Sequence, residues 1–477
     1  MLHDNAMGGP EMRRLVWVMA SVVGLKLAFL VVDPHLRFFF GDSASYLHAA
    51  TRGFGLPDRS STYPLVLWLF VFPTGSLWAL VLWQTLVGVF VASGAYLVLV
   101  RTLGVGSIVA WVAAVAIAVE PMQLFYERSV MAETLGTGCL LAMLGALAWH
   151  FRRRSLAALP LAAGLGLAAV SFRLSLLPVI LVLTTLAPAL WLFASRPERP
   201  GLRALALMFA LSAGATAVTH MAYRAAYGHA AGIAPAYTVM EPHFRLGWLA
   251  PLVERSHFQD AGIKAEWWDA LALDPAEPRH REWQIWSPEG MIQQLQAEAG
   301  SEARDVARHV SAQAVRERPL AVMALGWGTL VDHFDAEYAR HRMHNDLGEN
   351  PPPGDFVERW RGAMAYDASD WRRSDGLVAR MFESSRMALT VGIFVSFPLS
   401  LLALGMAWRR RSPVLALFAT TLLGLAMAYV LFGHILVFRY MHPFVPVWAI
   451  VLAAVVSSPL RGPRESGRDT PAHLASE

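Results

Sequence analysis

Apolar residues fall in long blocks separated by short polar breaks. A membrane-spanning helix needs about 20 mostly apolar residues. Ten windows approach that: Leu15–Val32, Leu77–Val100, Ser107–Val119, Val130–Trp149, Leu156–Val170, Leu174–Ala194, Arg203–Tyr223, Met387–Trp408, Pro413–Phe432 and Met441–Ser458. The windows at 107–119 and 156–170 are short, at 13 and 15 residues. Tyr63–Pro73 is apolar but too short to cross, and it lies between loops. It reads as a helix at or dipping into the interface.

One stretch breaks the pattern. Between Tyr223 and Ser385 lie 163 residues holding 41 of the 76 charged side chains, 24 acidic and 17 basic, for a local charge of −7. They also carry eight of the 16 His and the turn Pro351-Pro352-Pro353-Gly354. Such a segment cannot lie in hydrocarbon. The predicted organisation is an all-α polytopic membrane domain of about ten helices with an inserted soluble domain of mainly helical or mixed structure. Its parts are a membrane region 1–222 with a first outer loop at 33–62, the soluble insert 223–385, the last helices 386–458 and a disordered tail 459–477.

Composition agrees. The 477 residues are 55% hydrophobic and 16% charged, against roughly 45–50% apolar and 25% charged in soluble domains. Cys139 is the only cysteine, which excludes a disulfide scaffold. The net charge of +4 is too small for a nucleic-acid reader of this size.

Cytoplasmic loops hold the excess of Lys and Arg. With the N-terminus inside, inner loops carry fifteen arginines: 13, 14, 101, 152, 153, 154, 196, 199, 203, 409, 410, 411, 461, 464 and 468. The outer loops carry six: Arg37, Arg52, Arg59, Arg128, Arg173 and Arg439. Both termini are therefore expected in the cytoplasm and 223–385 outside a cell (inner) membrane, in the periplasm or cell exterior. The first helix has Lys26 in its core and ends in Val31-Val32-Asp33-Pro34, with no small-residue cleavage site, so it reads as retained.

With these sides assigned, the polar residues near membrane depth gather at the outer helix ends. Asp42 lies in the first outer loop, Glu120, Glu127, Arg128 and Glu133 around the second, Arg173 in the third, and His434 with Arg439 in the last. Ionisable groups at that depth are costly and are functional candidates. Each has a plainer alternative. Arg173 and Arg439 can snorkel to headgroups, Glu127 and Arg128 can form a solvated pair, Asp42 can cap a helix, and Lys26 can sit in a buried salt bridge. A carboxylate beside arginines suits removal of a proton from a hydroxyl while an anionic leaving group is held nearby.

These residues carry a family likeness. Asp42-Ser-Ala-Ser-Tyr46, Thr62-Tyr63-Pro64-Leu65, Pro121-Met-Gln-Leu-Phe-Tyr126 with Met131-Ala132-Glu133-Thr134-Leu135, Phe172-Arg173 with Pro178, and Arg439-Tyr440-Met-His-Pro443 follow in order. In these places the chain resembles polytopic glycosyltransferases of the GT-C fold, family 39-like, over about 12–222 and 386–458. The stretch from Arg318 to Phe334 looks like the amphipathic helix that often precedes the final helices there. The resemblance implies Asp42 as general base and arginines at a donor phosphate, carried onto Arg439 and Arg173. Glu120, Glu127 and Glu133 compete for an acidic position in the second loop; Glu133 is taken as the catalytic one, with Tyr46, Glu120, Arg128 and Tyr440 as further substrate-binding candidates.

The implied partners are a polyprenyl-phosphate sugar donor, a lipid, glycan or protein acceptor and the bilayer, with no nucleic acid. No cofactor is required. His341-x-x-His344 and Asp332-His333-x-Asp335 are conceivable divalent-metal ligands but read as solvated surface. Trp248, Trp267, Trp268, Trp283 and Trp286 can stack on sugar rings or fill a core. The alternative functions are a secondary transporter or lipid-linked-sugar flippase, and a non-enzymatic assembly factor. Against the transporter stand the outer placement of the charges and the lack of a repeat.

Overall fold

In lipid, backbone groups must satisfy each other within the segment, so long apolar runs fold as helices. The computed structural model describes residues 9–39, 42–53, 55–348, 376–433 and 435–457. The Pro351–Gly354 turn, His434 and the tail 459–477 lie outside these. In chain order the first half holds α1 (Gly9–Val32), α2 (Asp42–Arg52), α3 (Thr62–Val66, extended by further turns to Thr74), α4 (Trp78–Arg101), α5 (Ser107–Val119), α6 (Pro121–Glu127), α7 (Glu133–Arg153), α8 (Ala158–Phe172), α9 (Leu177–Leu186, between 3₁₀ turns) and α10 (Leu202–Ala231). The insert holds α11 (Glu241–Trp248), α12 (Arg255–Asp260), α13 (Ala265–Asp269), α14 (Arg281–Trp286), α15 (Met291–Ala299), α16 (Ala303–Glu317), α17 (Pro319–Val331) and α18 (Ala336–Asp346). Then come α19 (Leu377–Ser384), α20 (Arg386–Arg410), α21 (Pro413–Phe432) and α22 (Phe444–Val456).

The protein is an all-helical polytopic membrane protein. Among the described residues there is no strand, only an isolated bridge between Arg37 and Ser129. Where the sequence predicts ten spans, seven helices among the described residues are long and apolar enough alone: α1, α4, α7, the 174–193 run around α9, α10, α20 and α21. An eighth arises if α5 and α6, bent by 50°, count together. The other two windows fold as the shorter α8 and α22, of 15 and 13 residues. Arg173 in extended backbone ends α8, and a 3₁₀ turn over Phe438–Met441 delays the start of α22. The apolar stretch opening at Thr62 exposes Leu65, Trp68, Leu69 and Phe70. The helix predicted to end at Tyr223 runs on to Ala231, where Gly232 in the left-handed region closes it (φ 67°).

The segment between α5 and α7, expected as the second outer loop, departs most from expectation. It is the helix α6, folded into the bundle, with Glu127 and Arg128 0% and 1% exposed. Glu127 and Arg128 do not pair with each other. Lys26 Nζ reaches Glu127 Oε1 at 2.5 Å and the Ala118 carbonyl at 3.1 Å. Gln123 Nε2 donates to the same Glu127 oxygen at 2.7 Å, its carbonyl meets His442 Nε2 at 2.8 Å, and His442 Nδ1 lies 2.9 Å from Thr137 Oγ1. Burial of charge is tolerated only with such partners, and this network ties α1, α6, α7 and the approach to α22 together. Gly88 on α4 makes room for it, since a Cβ there would stand 1.8 Å from Glu127 Oε1.

The insert has its own core of Leu246, Leu249, Phe258, Met291, Ile292, Leu295, Val306 and Val310. It rests on one end of the bundle. α17 lies against α21 so closely that a Cβ at Gly326 would stand 1.6 Å from the Val430 carbonyl. Arg281 Nη1 donates to the Gly433 carbonyl at 3.5 Å, and the Val378 amide to Asp33 Oδ2 at 2.8 Å. That end of the bundle carries α2 and the 435–441 segment.

Candidate active site

Asp42 opens α2. The helix start is pinned by Ser43, whose hydroxyl accepts from the Phe39 amide at 2.7 Å and donates to the Val130 carbonyl at 2.9 Å. The Arg37 amide donates to the Arg128 carbonyl and the Val130 amide to the Arg37 carbonyl, each at 2.9 Å, which fixes the chain before α2 at Arg37 against the segment before α7. The Asp42 oxygens go to different arginines. Oδ2 accepts from Arg439 Nη1 at 2.5 Å, and Oδ1 stands 2.9 Å from Arg59 Nη1. Burial alone would raise this carboxyl, but Arg59 and then Arg439 outweigh it and hold it at about 2.

Each arginine has supports of its own. Arg59 donates through Nε to Asp58 Oδ2 at 2.8 Å, and its guanidinium lies 5.0 Å from the Tyr46 ring. The Arg439 guanidinium lies 4.5 Å from the Phe39 ring and 5.5 Å from that of Tyr440. Its backbone is held from the insert: Asp346, at the end of α18, accepts from the Phe438 amide at 2.6 Å and the Arg439 amide at 3.2 Å. One turn earlier Arg342 Nε donates to the Leu436 carbonyl at 3.0 Å, and its Nη1 pairs with Glu282 at 2.7 Å.

Glu133 begins α7, where the helix dipole favours an anion. It pairs with Arg173 at 3.1 Å, and both side chains are almost fully buried. Arg173 Nη1 also donates to the Arg439 carbonyl at 3.2 Å, and its guanidinium lies 5.5 Å from the Tyr440 ring. Tyr46 packs edge-on against Tyr63 at 4.7 Å. Asp42, Arg59, Arg439, Glu133 and Arg173 therefore form one connected charged floor.

That floor opens into a cavity of about 470 Å³. Leu174, Leu177, Leu425 and Phe432 of the helix bundle give it an apolar wall, while Phe244, Trp248, Ile285 and Trp286 of the insert roof it. Glu241, Arg245 and Glu282 stand at the roof edge.

Of the residues singled out in the sequence, the fold gathers Asp42, Tyr46, Glu133, Arg173, Arg439 and Tyr440 around this cavity. Glu120 and Arg128 do not line it. Glu120 caps α6, accepting from the Gln123 amide at 2.7 Å. Arg128 donates to the carbonyls of Asp33 at 3.1 Å and Leu124 at 2.7 Å. Both act on structure because α6 turns into the bundle. Trp248 and Trp286 line the cavity, whereas Trp267 and Trp268 pack on Phe258 in the core of the insert. Asp332 and Asp335 both pair with Arg279 at 2.8 Å, and His344 with Glu383 at 3.1 Å. Among the described residues no group of three or more His, Cys, Asp or Glu is placed to hold a metal. Sequence reasoning counted Arg59 only as an outer-loop charge and overlooked Asp58 and Asp346.

Fold and floor together define a multi-pass helical membrane protein with a charged pocket between its bundle and the helices α11 and α14. No family model matches the chain, and no curated protein matches it. Among solved structures it is similar to ArnT from Cupriavidus metallidurans in the apo state, at 13% identity over 90% of this chain and 77% of that one, with a TM-score of 0.31.

Proposed function

We propose that the protein is an inverting membrane glycosyltransferase of the GT-C type, moving a sugar from a polyprenyl-phosphate donor to a lipid, glycan or protein acceptor at the outer face of the membrane. One observation carries this reading: a carboxylate set between two arginines at the floor of a pocket whose side wall is membrane helix and whose roof is soluble domain. Such a pocket admits an anionic lipid from the side and a polar acceptor from above. The acceptor O–H or N–H attacks the anomeric carbon opposite the phosphate. The carbon–oxygen bond to phosphate breaks with its electron pair leaving on the phosphate oxygen, and the proton passes to Asp42. Positive charge at the arginines meets the charge developing on the leaving group, so a divalent metal is not required. Glu133 holds Arg173, and Arg173 braces the Arg439 backbone.

The transporter reading has one observation behind it, the Lys26–Glu127 pair buried inside the bundle. Neither member of that pair lines the cavity, which is built instead around the Asp42, Arg59 and Arg439 cluster. The deciding experiment is mass spectrometry of cell-envelope glycans and lipids from cells with the wild-type chain, with Asp42→Asn and with neither. A sugar modification should appear only with the wild type, because a positioned general base contributes about 10²–10⁴-fold. An Asp42→Asn variant that inserts normally and gives the full wild-type modification would refute the assignment.

A further inference from the structure

The Asp42 carboxylate is poorly arranged for the work proposed for it. A base must offer a free lone pair to an incoming proton, yet Oδ2 is occupied by Arg439 at 2.5 Å and Oδ1 by the charge of Arg59 at 2.9 Å. The fit is also imperfect. Arg59 Nη1 is close to Oδ1 without the alignment of a hydrogen bond, and Arg439 Nε is buried with no acceptor. A planar carboxylate leaves these donors unsatisfied. A tetrahedral phosphodiester offers two non-bridging oxygens set out of one plane, with ester oxygens beside them, at the same place and with equal charge.

The arginines do not depend on Asp42 for their position. Arg59 is kept by Asp58 and the Tyr46 ring, and Arg439 by the Phe39 ring and by Asp346 through its backbone. If Asp42 swings away, the two guanidinium groups remain as a preformed pair at the foot of an apolar wall.

Building on the glycosyltransferase reading, we propose that Arg59 and Arg439 are the seat of the donor phosphate, that Asp42 fills this seat while it is empty, and that the arriving phosphate displaces the carboxylate and so frees it to act as base. Asp42 is thus a competitor of the donor before it is a partner of the acceptor. With the seat empty, the strong pull of the arginines keeps the carboxylate from taking a proton. Proton removal from the acceptor is thereby coupled to the presence of a leaving group.

The test uses the full chain in nanodiscs and two probes, a short-chain isoprenyl phosphate and inorganic phosphate, with binding followed by calorimetry. Hydrogen bonds to charged groups contribute about 1.5–3 kcal/mol, which corresponds to roughly tenfold or more in affinity. Asp42→Asn, which abolishes the proposed base, should bind the isoprenyl phosphate about tenfold more tightly than wild type. Arg59→Gln should bind it about tenfold more weakly, and this variant decides the matter if Asp42→Asn fails to fold. A lipid source for the phosphate shows as binding of the isoprenyl probe far below the concentration needed for inorganic phosphate, whereas equal binding of both indicates free phosphate. Wild-type binding with no gain in Asp42→Asn, or none lost in Arg59→Gln, overturns the inference and leaves the glycosyltransferase reading standing. Failure of the wild type and both variants to bind either probe overturns both.

Discussion

The Lys26–Glu127 pair gives the sharpest test of what holds the bundle together. Both side chains are 1% exposed, and Glu127 Oε2 has no partner at all. Lys26→Met removes the cation and leaves a carboxylate supported only by Gln123. Removing one member of a buried pair typically costs about 3–5 kcal/mol, while replacing both by well-packed apolar groups is often neutral or stabilising. Lys26→Met should therefore lose about that amount, and Lys26→Met with Glu127→Met should recover to within about 1 kcal/mol of wild type. Gly88→Ala attacks the same pair from the side, because its Cβ would stand 1.8 Å from Glu127 Oε1 and 2.9 Å from Lys26 Nζ. Ala is the better helix former by about 1 kcal/mol, yet overpacking costs about 1–3 kcal/mol, so this variant should also be less stable. Equilibrium unfolding in mixed detergent micelles, followed by tryptophan fluorescence, reads all of them. A Lys26→Met protein that unfolds with wild type, or a double variant no better than the single one, would refute the argument.

Arg439→Lys keeps the charge but loses the planar fork suited to phosphate oxygens, so the donor concentration giving half-maximal transfer should rise; unchanged kinetics in Arg439→Ala would reduce Arg439 to a headgroup anchor. Burial pushes the Asp346 carboxyl up to about 6 against the pull of Arg439 and Arg342. The folded protein thus keeps a proton that the unfolded chain has already released, and this group makes stability fall by about 3 kcal/mol as pH rises from about 4 to about 6, with no further change above. Asp346→Asn should flatten that window in pH-dependent unfolding, and an unchanged slope would count against the burial of this carboxylate. Reporter fusions should place residues 230–380 outside and 150–155 inside, as the arginine bias requires; a cytoplasmic signal near residue 300 would put the pocket on the wrong side.

The helices were legible because each apolar block is continuous and its ends are marked by arginines, Gly232 or proline. Much of the pocket was legible for a related reason: Asp42, Glu133, Arg173 and Arg439 are charges at helix ends, where an unpaired charge is hardest to explain. What escaped had no such signature. Arg59 looked like one more loop arginine, since its partner Asp42 lies across a turn of chain that includes all of α2. Asp346 acts on backbone amides, which every residue possesses, so no residue type in the sequence betrays its target. Glu120 and Arg128 count in the sequence as substrate-binding candidates because they flank a short break between apolar blocks; that break is the helix α6, with Pro121 at its start, and its bend places both side chains away from the cavity.

The contacts that link distant parts of the chain also say when the pocket can exist. Asp42 and Arg439 are 397 residues apart, Thr137 and His442 305, and Asp33 and Val378 345. Closing so long a loop costs little at equilibrium, since each doubling of length adds only about 0.6 kcal/mol. The order of events is another matter. During synthesis α1 to α10 can assemble, and Asp42 can meet Arg59, long before the insert brings Asp346 and the final helices bring Arg439. The floor is therefore completed last, by α18 and the segment leading into α22. For the proposed reaction this means that a nascent or misinserted bundle lacks a complete site, and competence marks the arrival of the last membrane helix.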